Sequence, residues 1–251
     1  MEIGSTETHE QIPTPFSEAP TRVKPVRDTP FSRNRPAIGA CVLSHAQTRI
    51  KATTLLSYSK NSDILQTMNS HIRSYRGKVP QTGHRVYIDT AATVIGNVTL
   101  GNDVSVWPGA VIRGDMHWIK LGDRTNVQDN AVLHVTHAGP YNPDGFPLSI
   151  GEDVVIGHRA ILHGCIVGNR VLIANGAIVN DGAVIPDETI IAAGCVIPPG
   201  KKLAAGYVYM GNPYQQRRTV TEDERRFFRY APQAYVKLKD EYLDATNSSP
   251  P

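Results

Sequence analysis

Residues Val127–His163 read VQDNAVLHVTHAGPYNPDGFPLSIGEDVVIGHRAILH, and the aliphatic positions in this stretch decide the fold. Val127 and Leu133 stand six apart, as do Ile150, Ile156 and Leu162. The same spacing continues in both directions. Upstream lie Val94, Leu100, Val106 and Ile112, then a slip of three to Leu121. Downstream the spacing shortens by one to Val167 and holds through Ile173, Val179, Ile185, Ile191 and Ile197. A period of six fits neither a helix nor a half-buried strand. It is the hexapeptide signature of a parallel β-helix, in which each repeat makes a short flat strand and a corner. Three sides close a triangular coil of about 18 residues, and each coil covers the apolar face of the next. The period does not set the hand. Hexapeptide coils turn left-handed, against the usual crossover rule. The predicted fold is therefore mainly β, a left-handed parallel β-helix, followed by a C-terminal helix.

The period also places the histidines. Leu133 and Ile150 are seventeen apart where a hexad takes six, so eleven residues are inserted between them. Without the insert, His134 and His163 fall one coil apart, each just after an inward aliphatic residue. A rung spacing of about 4.8 Å brings two such imidazoles within reach of one ion. His158, two places after Ile156, projects from another part of the coil. It is expected to join the ion from a neighbouring chain, so three chains around a threefold axis would make three sites. Three neutral imidazoles with one open position is the donor set of a catalytic zinc site. Fe2+, Co2+ and Ni2+ suit the same ligands.

Composition bounds the rest. The 251 residues are 40% hydrophobic with a formal charge of +3, which suits one domain with a real core and makes no case for nucleic acid. No apolar run approaches the length of a membrane span. Cys41, Cys165 and Cys195 are odd in number and form no CxxC pair, which suggests reduced thiols and a cytoplasmic location.

Residues 1–67 lack the period and are rich in Pro, Ser and Thr, so a disordered extension is expected, with Met68 as the natural start. The β-helix domain is expected over 68–213, with Ile72 to Pro80 as an extended arm and coils from near Val86. The slip after Ile112 predicts a short excursion, MHWIK, just past Arg113 and Asp115. Gln128 and Asp129 take outward places, with Gln128 six residues before His134. The loop Ala138 to Ser149 is expected to cover the site or meet a neighbour. Asn175, Asn180 and Asp187 read as corner residues. Over 214–243 Thr221 and Glu224 make a capping box. Phe227, Ala231, Ala234, Leu238 and Tyr242 form an apolar stripe, and Pro232 is expected to kink or restart the helix. Residues 244–251 read as a disordered tail.

RGD at Arg113–Asp115, NVQDNAVLH at Asn126–His134 and GHRAILHG at Gly157–Gly164 resemble the gamma-class carbonic anhydrase family. The resemblance covers roughly Ile72 to Leu243. NPDGFPLSIGEDV, GYVYMGNP and YVKLKDEYLD are similar to a bacterial carbonic anhydrase-like branch. It implies a homotrimer in which His134 and His163 of one subunit and His158 of the next hold zinc. Metal-activated water would then hydrate CO2 to bicarbonate. It also implies that Gln128 bonds the metal-bound water, and that Arg113, Asp115 and Asp129 support the site and the subunit contact. Glutamates of the best-studied branch are replaced here by Met116 and His137. His137 would shuttle protons, an imidazole titrating near 6.5, or is a loop histidine without that role. Tyr209 is a further candidate to approach the site from a neighbour. The alternatives are an acyl-CoA thioesterase or acyltransferase on the same prism, or a trimeric scaffold that keeps the metal for assembly.

Overall fold

The computed structural model describes residues 71–248. The predicted extension 1–67, the proposed start at Met68, Cys41 and the last residues of the tail lie outside them. Every inward hexad residue from Val94 to Ile197 is at most 3% exposed, and together they form one continuous core. Strands of two or three residues stack in parallel, as in Val127 on Ile156 on Ile173 on Ile191. Longer strands at Thr93–Leu100 and Val111–Leu121 run round a corner. Coiling begins earlier than expected: Ile72 pairs with Val94 and Gln81 with Thr99, so the predicted arm already forms part of the prism. Among the described residues, no helix is long and apolar enough to cross a membrane.

The prism has three edges. On two of them the inward residues keep the spacing of six throughout. One joins Leu121 to Val127, Ile150 to Ile156 and Val167 to Ile173; the other joins Val127 to Leu133, Ile156 to Leu162 and Ile173 to Val179. All the irregular corners share the third edge. There the spacing is nine from Ile112 to Leu121, seventeen from Leu133 to Ile150, five from Leu162 to Val167, and six from Val179 to Ile185. The first of these is a bulge. Gly96 pairs with Gly114 and Val98 with Ile119, so Asn97 faces residues 115–118. Asp115 therefore stands inside the excursion, not before it, and Ile119 and Lys120 are back in the ladder.

The faces differ as well. The helix, α1 (Glu222–Ser248), packs against the face that carries Tyr87–Ile88 and Ser105–Val106. Ile190, Val208, Val220 and Phe228 form a second small core, with Leu172 packed against it. A different face carries an outward ladder of branched aliphatics in register: Val111, Val132, Ile161, Ile178 and Val196. Val132 and Ile161 are each 37% exposed in the single chain.

The capping box forms as expected. Thr221 N donates to Glu224 Oε2 at 2.9 Å, and Glu224 N donates to Thr221 Oγ1 at 3.2 Å. The helix continues through Pro232 without a restart and runs past Leu243. Ahead of it, Gln215–Thr219 forms an antiparallel edge strand. The predicted stripe supplies part of the packing face, through Ala231 and through the half-exposed Tyr242 ring set against Tyr87 and Trp107, but the buried face is wider. Glu224, Phe228, Ala231 and Lys239 are buried, while Leu238 and Tyr242 are exposed. Apolar periodicity missed the rest of this face because charge holds part of it: Lys239 Nζ, fully buried, lies 2.9 Å from Asp103 Oδ1 and also contacts Asp240. The corner residues bond the adjacent coil rather than their own turns. His158 N donates to Asn175 Oδ1 at 3.1 Å, and Asn169 N donates to Asp187 Oδ1 at 2.8 Å.

Candidate metal centre

The residues singled out in the sequence sort into two clusters on two different edges. The first lies on the irregular edge. Strands Val132–His134 and Ile161–His163 pair in register, so His134 sits directly beside His163. In each strand the middle leucine points inward and the flanking residues point out. The two rings are 5.0 Å apart by their centroids, with His134 Nδ1 3.0 Å from His163 Nε2. Each remaining nitrogen meets a carboxylate. His134 Nε2 lies 3.1 Å from Asp115 Oδ1, and His163 Nδ1 lies 2.7 Å from Asp181 Oδ1. Arg113 donates to the other oxygen of Asp115. Burial opposes ionisation of Asp115, but the hydrogen bonds from Arg113 and His134 outweigh it and hold the carboxyl below its ordinary range. Burial pushes His134 the other way, towards the neutral ring, helped by the Arg113 charge.

This hydrogen-bond pattern would let the first cluster serve as half of a cation site. With Asp115 and Asp181 accepting N–H bonds, the lone pairs on His134 Nδ1 and His163 Nε2 face each other. A proton on either nitrogen would make this 3.0 Å contact a hydrogen bond; with both bare, a cation between them would remove the repulsion. Zinc–nitrogen bonds of about 2.0–2.1 Å put two nitrogens of one tetrahedral ion roughly 3.3 Å apart, close to the spacing here. The donor set therefore fits a divalent ion such as zinc.

The second cluster follows strands Asn126–Val127 and Val155–Ile156 on the neighbouring regular edge. His158 Nδ1 lies 2.9 Å from Asp129 Oδ2, and the two side chains are 49% and 42% exposed. They line an open cleft with Asn130, Arg159, Asn175 and Gly176. Gln128, expected in an outward place, is only 6% exposed because the helix closes over it. Its Nε2 donates to Tyr235 Oη at 2.8 Å and to Asn126 Oδ1 at 3.2 Å. Both amide hydrogens are engaged within the chain, and the cleft is lined by Asp129 rather than by Gln128. Among the described residues, Asn126 Nδ2 is buried without a hydrogen-bond partner.

No group of three possible ligands converges among the described residues, because His158 stands on a different edge from His134 and His163. Tyr209, a candidate to approach the site from a neighbour, lies in the core. Its ring is buried, and its hydroxyl bonds Ala204 and Gln216 within its own chain. His137 is exposed in the inserted loop. That loop closes through paired hydrogen bonds between Thr136 and Phe146 and seats Phe146 over Gly164 and Gly182.

Sequence reading missed Asp181, Thr136 and Tyr235. The signal for Asp181 was present in the corner spacing. The corner after His163 is one residue shorter than the corner containing Asp181, and the Asp181 side chain reaches up to His163 at this shortened corner. Tyr235 left no local signal, because only the docking of α1 brings it to Gln128.

The chain is 52% identical to Protein YrdA of Escherichia coli over 184 residues, 73% of this chain and all of that one. It is 38% identical to a carbonic anhydrase of Geobacillus kaustophilus, covering 69% of this chain and 91% of that one. Gamma carbonic anhydrase 1, mitochondrial, of Arabidopsis thaliana matches at 35% over 69% of this chain and 62% of its own length. A solved hexapeptide transferase family protein from Anaplasma phagocytophilum superposes with a TM-score of 0.62 at 35% identity, covering 67% of this chain and 96% of that one. No protein-family model matches. On these relationships and the hexapeptide prism, the chain belongs to the gamma-class carbonic anhydrase-like hexapeptide-repeat family.

Proposed function

We propose that this protein is a metal-dependent carbonic anhydrase that interconverts CO2 and bicarbonate at the contact between subunits of a homotrimer. The observation that carries the reading is the carboxylate beside each of three histidines: Asp115 on His134, Asp129 on His158, and Asp181 on His163. A metal-ligating histidine commonly donates its second N–H to such a partner, which fixes the ring and leaves the other nitrogen free to ligate.

The apolar ladder supports the assembly. It runs along the face between the two edges, with His158 at its entry and His134 and His163 at its exit. Burying that face around a threefold axis would bring the exit edge of one chain to the entry edge of the next. His134 and His163 of one subunit would then meet His158 of its neighbour. Zn2+ suits this set, and Fe2+, Co2+ or Ni2+ are alternatives. When bound, the ion supplies Lewis acidity and lowers the pKa of water from 15.7 to about 7.

The chain's own groups do the rest. Gln128, held by Tyr235 and Asn126, would orient the water or substrate. Asp115, itself held by Arg113, aims His134, while burial and the Arg113 charge favour the neutral ring. Asp129 holds His158. His137, in the loop over this edge, carries the proton away to solvent. Replacing it by Ala should slow turnover, with small imidazole buffers restoring the rate.

The test is stopped-flow CO2 hydration on anaerobically purified protein with Zn2+ or Fe2+ restored, with the metal counted per chain. Hydration lost in His163→Ala, and loss of both trimer and activity in Ile161→Asp, are the expected results. One metal per chain without hydration would sink the carbonic anhydrase reading, and acyl-CoA hydrolysis would be assayed next.

A further inference from the structure

We propose that Asp181 is a positioning residue for the cation site, holding His163 in the tautomer whose Nε2 is bare and faces His134. This rests on the metal reading above and adds to it a residue from outside the three matched motifs. Asp181 Oδ1 lies 2.7 Å from His163 Nδ1, a distance at which an imidazole N–H donates to a carboxylate. Its other oxygen is taken. Thr136 Oγ1, from the base of the inserted loop, donates to Asp181 Oδ2 at 2.8 Å. The carboxylate is thus fixed from two sides before it fixes the ring, and it is three-quarters shielded from solvent.

The backbone is built to admit it. Leu162 pairs with Val179 and Val167 with Ile185, so the corner 162–167 is one residue shorter than the corner 179–185 beside it. Asp181 lies in the longer corner and reaches into the space left by the shorter one. Gly164 is the second provision: a Cβ there would collide with Asp181 Oδ1 and with Phe146 Cβ. With φ at +52°, the position also favours glycine on its own account. A shortened corner, a missing Cβ and a threonine clamp converge on one carboxylate whose bond to His163 decides which nitrogen is bare. Asp115 does the same for His134 from the opposite side, so the pair is braced at both ends.

The experiment uses full-length protein labelled with 15N at histidine, with Asp181→Ala as the variant and Thr136→Val as the milder one. In metal-free wild type, His163 should show the Nδ1–H tautomer. In Asp181→Ala it should become a mixture, and in Thr136→Val it should shift part of the way. Zn2+ affinity, read by competition with a chelator, should fall about 10–100-fold in Asp181→Ala, with an unchanged sedimentation coefficient. An unchanged His163 tautomer, or an unchanged zinc affinity in a folded variant, overturns the proposal. If wild type takes up no zinc, the metal reading fails instead, and the tautomer comparison still decides what Asp181 does to the ring.

Discussion

Two edges of the same prism solve the same problem in opposite ways. Along one regular edge the corner residue of each coil takes a left-handed backbone conformation without being glycine: Arg85, Asp103, Arg124, Asp153, Arg170 and Glu188, with φ between +51° and +58°. Such a conformation costs an L-residue roughly 1–2 kcal/mol. The residues alternate in charge from coil to coil, and the alternation offsets part of that cost. Arg124 Nε lies 2.7 Å from Asp153 and Arg170 Nε lies 3.2 Å from Glu188. The helix joins the ladder through Arg85–Asp240, Asp103–Lys239 and Glu188–Arg225. The irregular edge uses Gly164, Gly182 and Gly200 instead. At Gly164 and Gly182 the missing Cβ leaves space, and Asp181 and Phe146 fill it. Uniform spacing lets side chains bind their copies one coil away. Where the spacing changes, unlike side chains meet, and that edge carries His134 and His163.

The contrast is broken most severely at Gly164. Gly164→Ala adds a Cβ against backbone and packed side chains, at a cost of about 1–3 kcal/mol for overpacking. Left-handed strain adds roughly 1 kcal/mol. Chemical denaturation should show a combined loss of about 2–4 kcal/mol, with the Asp181–His163 contact disturbed. A loss no larger than that of Gly176→Ala, where a Cβ would meet nothing within 4 Å, would mean that the corner can relax and the space is not reserved.

Lys239 comes next. It is fully buried, while Asp103 keeps 31% of its side chain exposed. Lys239→Ala opens a cavity and strips Asp103 of its partner, and should cost about 2–3 kcal/mol. Lys239→Met strips Asp103 equally but keeps the volume, and because Asp103 stays partly hydrated it should come within about 1 kcal/mol of wild type. Equal losses in the two variants would mean that the ion pair, not the packing, ties the helix to the charged edge.

Most of the prism was legible because its period is simple and its inward residues are all aliphatic. Even the stacking of His134 on His163 followed from counting. What escaped notice was relational. The slip at Ile112, the insert after Leu133 and the shortening after Leu162 each stood out singly. That they share one edge follows only when the coils are wound. The charged edge was hidden for another reason: Arg124 or Glu188 in isolation reads as an ordinary solvated residue, and only the alternation across coils gives it a role. Lys239 hid part of the helix's inner face, since an apolar stripe cannot announce a buried charge. His158 was rightly set apart from the other two histidines, but nothing in the period could say that Asp129 would hold it.

A smaller effect tests the charged edge itself. Arg124→Gly relieves the backbone at φ +58° and removes the ion pairs to Asp153 and Glu152. Relief is worth roughly 1 kcal/mol, and partly exposed pairs about 0.2–1 kcal/mol each. The two should nearly cancel, leaving stability within about 1 kcal/mol of wild type. Arg124→Ala keeps the strain and loses the pairs, so it should be the less stable of the two. The reverse order in urea melts would show that the ladder, and not the backbone, dominates this edge.

A pH-dependent effect of similar size is expected at the start of the helix, where the charged edge's partner begins. Arg218 bonds both oxygens of Glu224, and Thr221 bonds it in the capping box. The Arg218 bonds, resisted by burial and helped by Thr221, hold the Glu224 carboxyl below its ordinary range. A carboxyl held low stabilises the fold fully above its unfolded pKa of about 4.3. That contribution is lost as pH falls through the lower folded value. Glu224→Gln keeps the shape and most of the cap but cannot ionise. At pH 7 it should be less stable than wild type by about 1 kcal/mol, and the gap should close as the urea midpoint is followed down in pH. A gap that stays constant into acid would mean that Glu224 acts through its cap geometry alone and that the Arg218 charge contributes nothing to anchoring the helix.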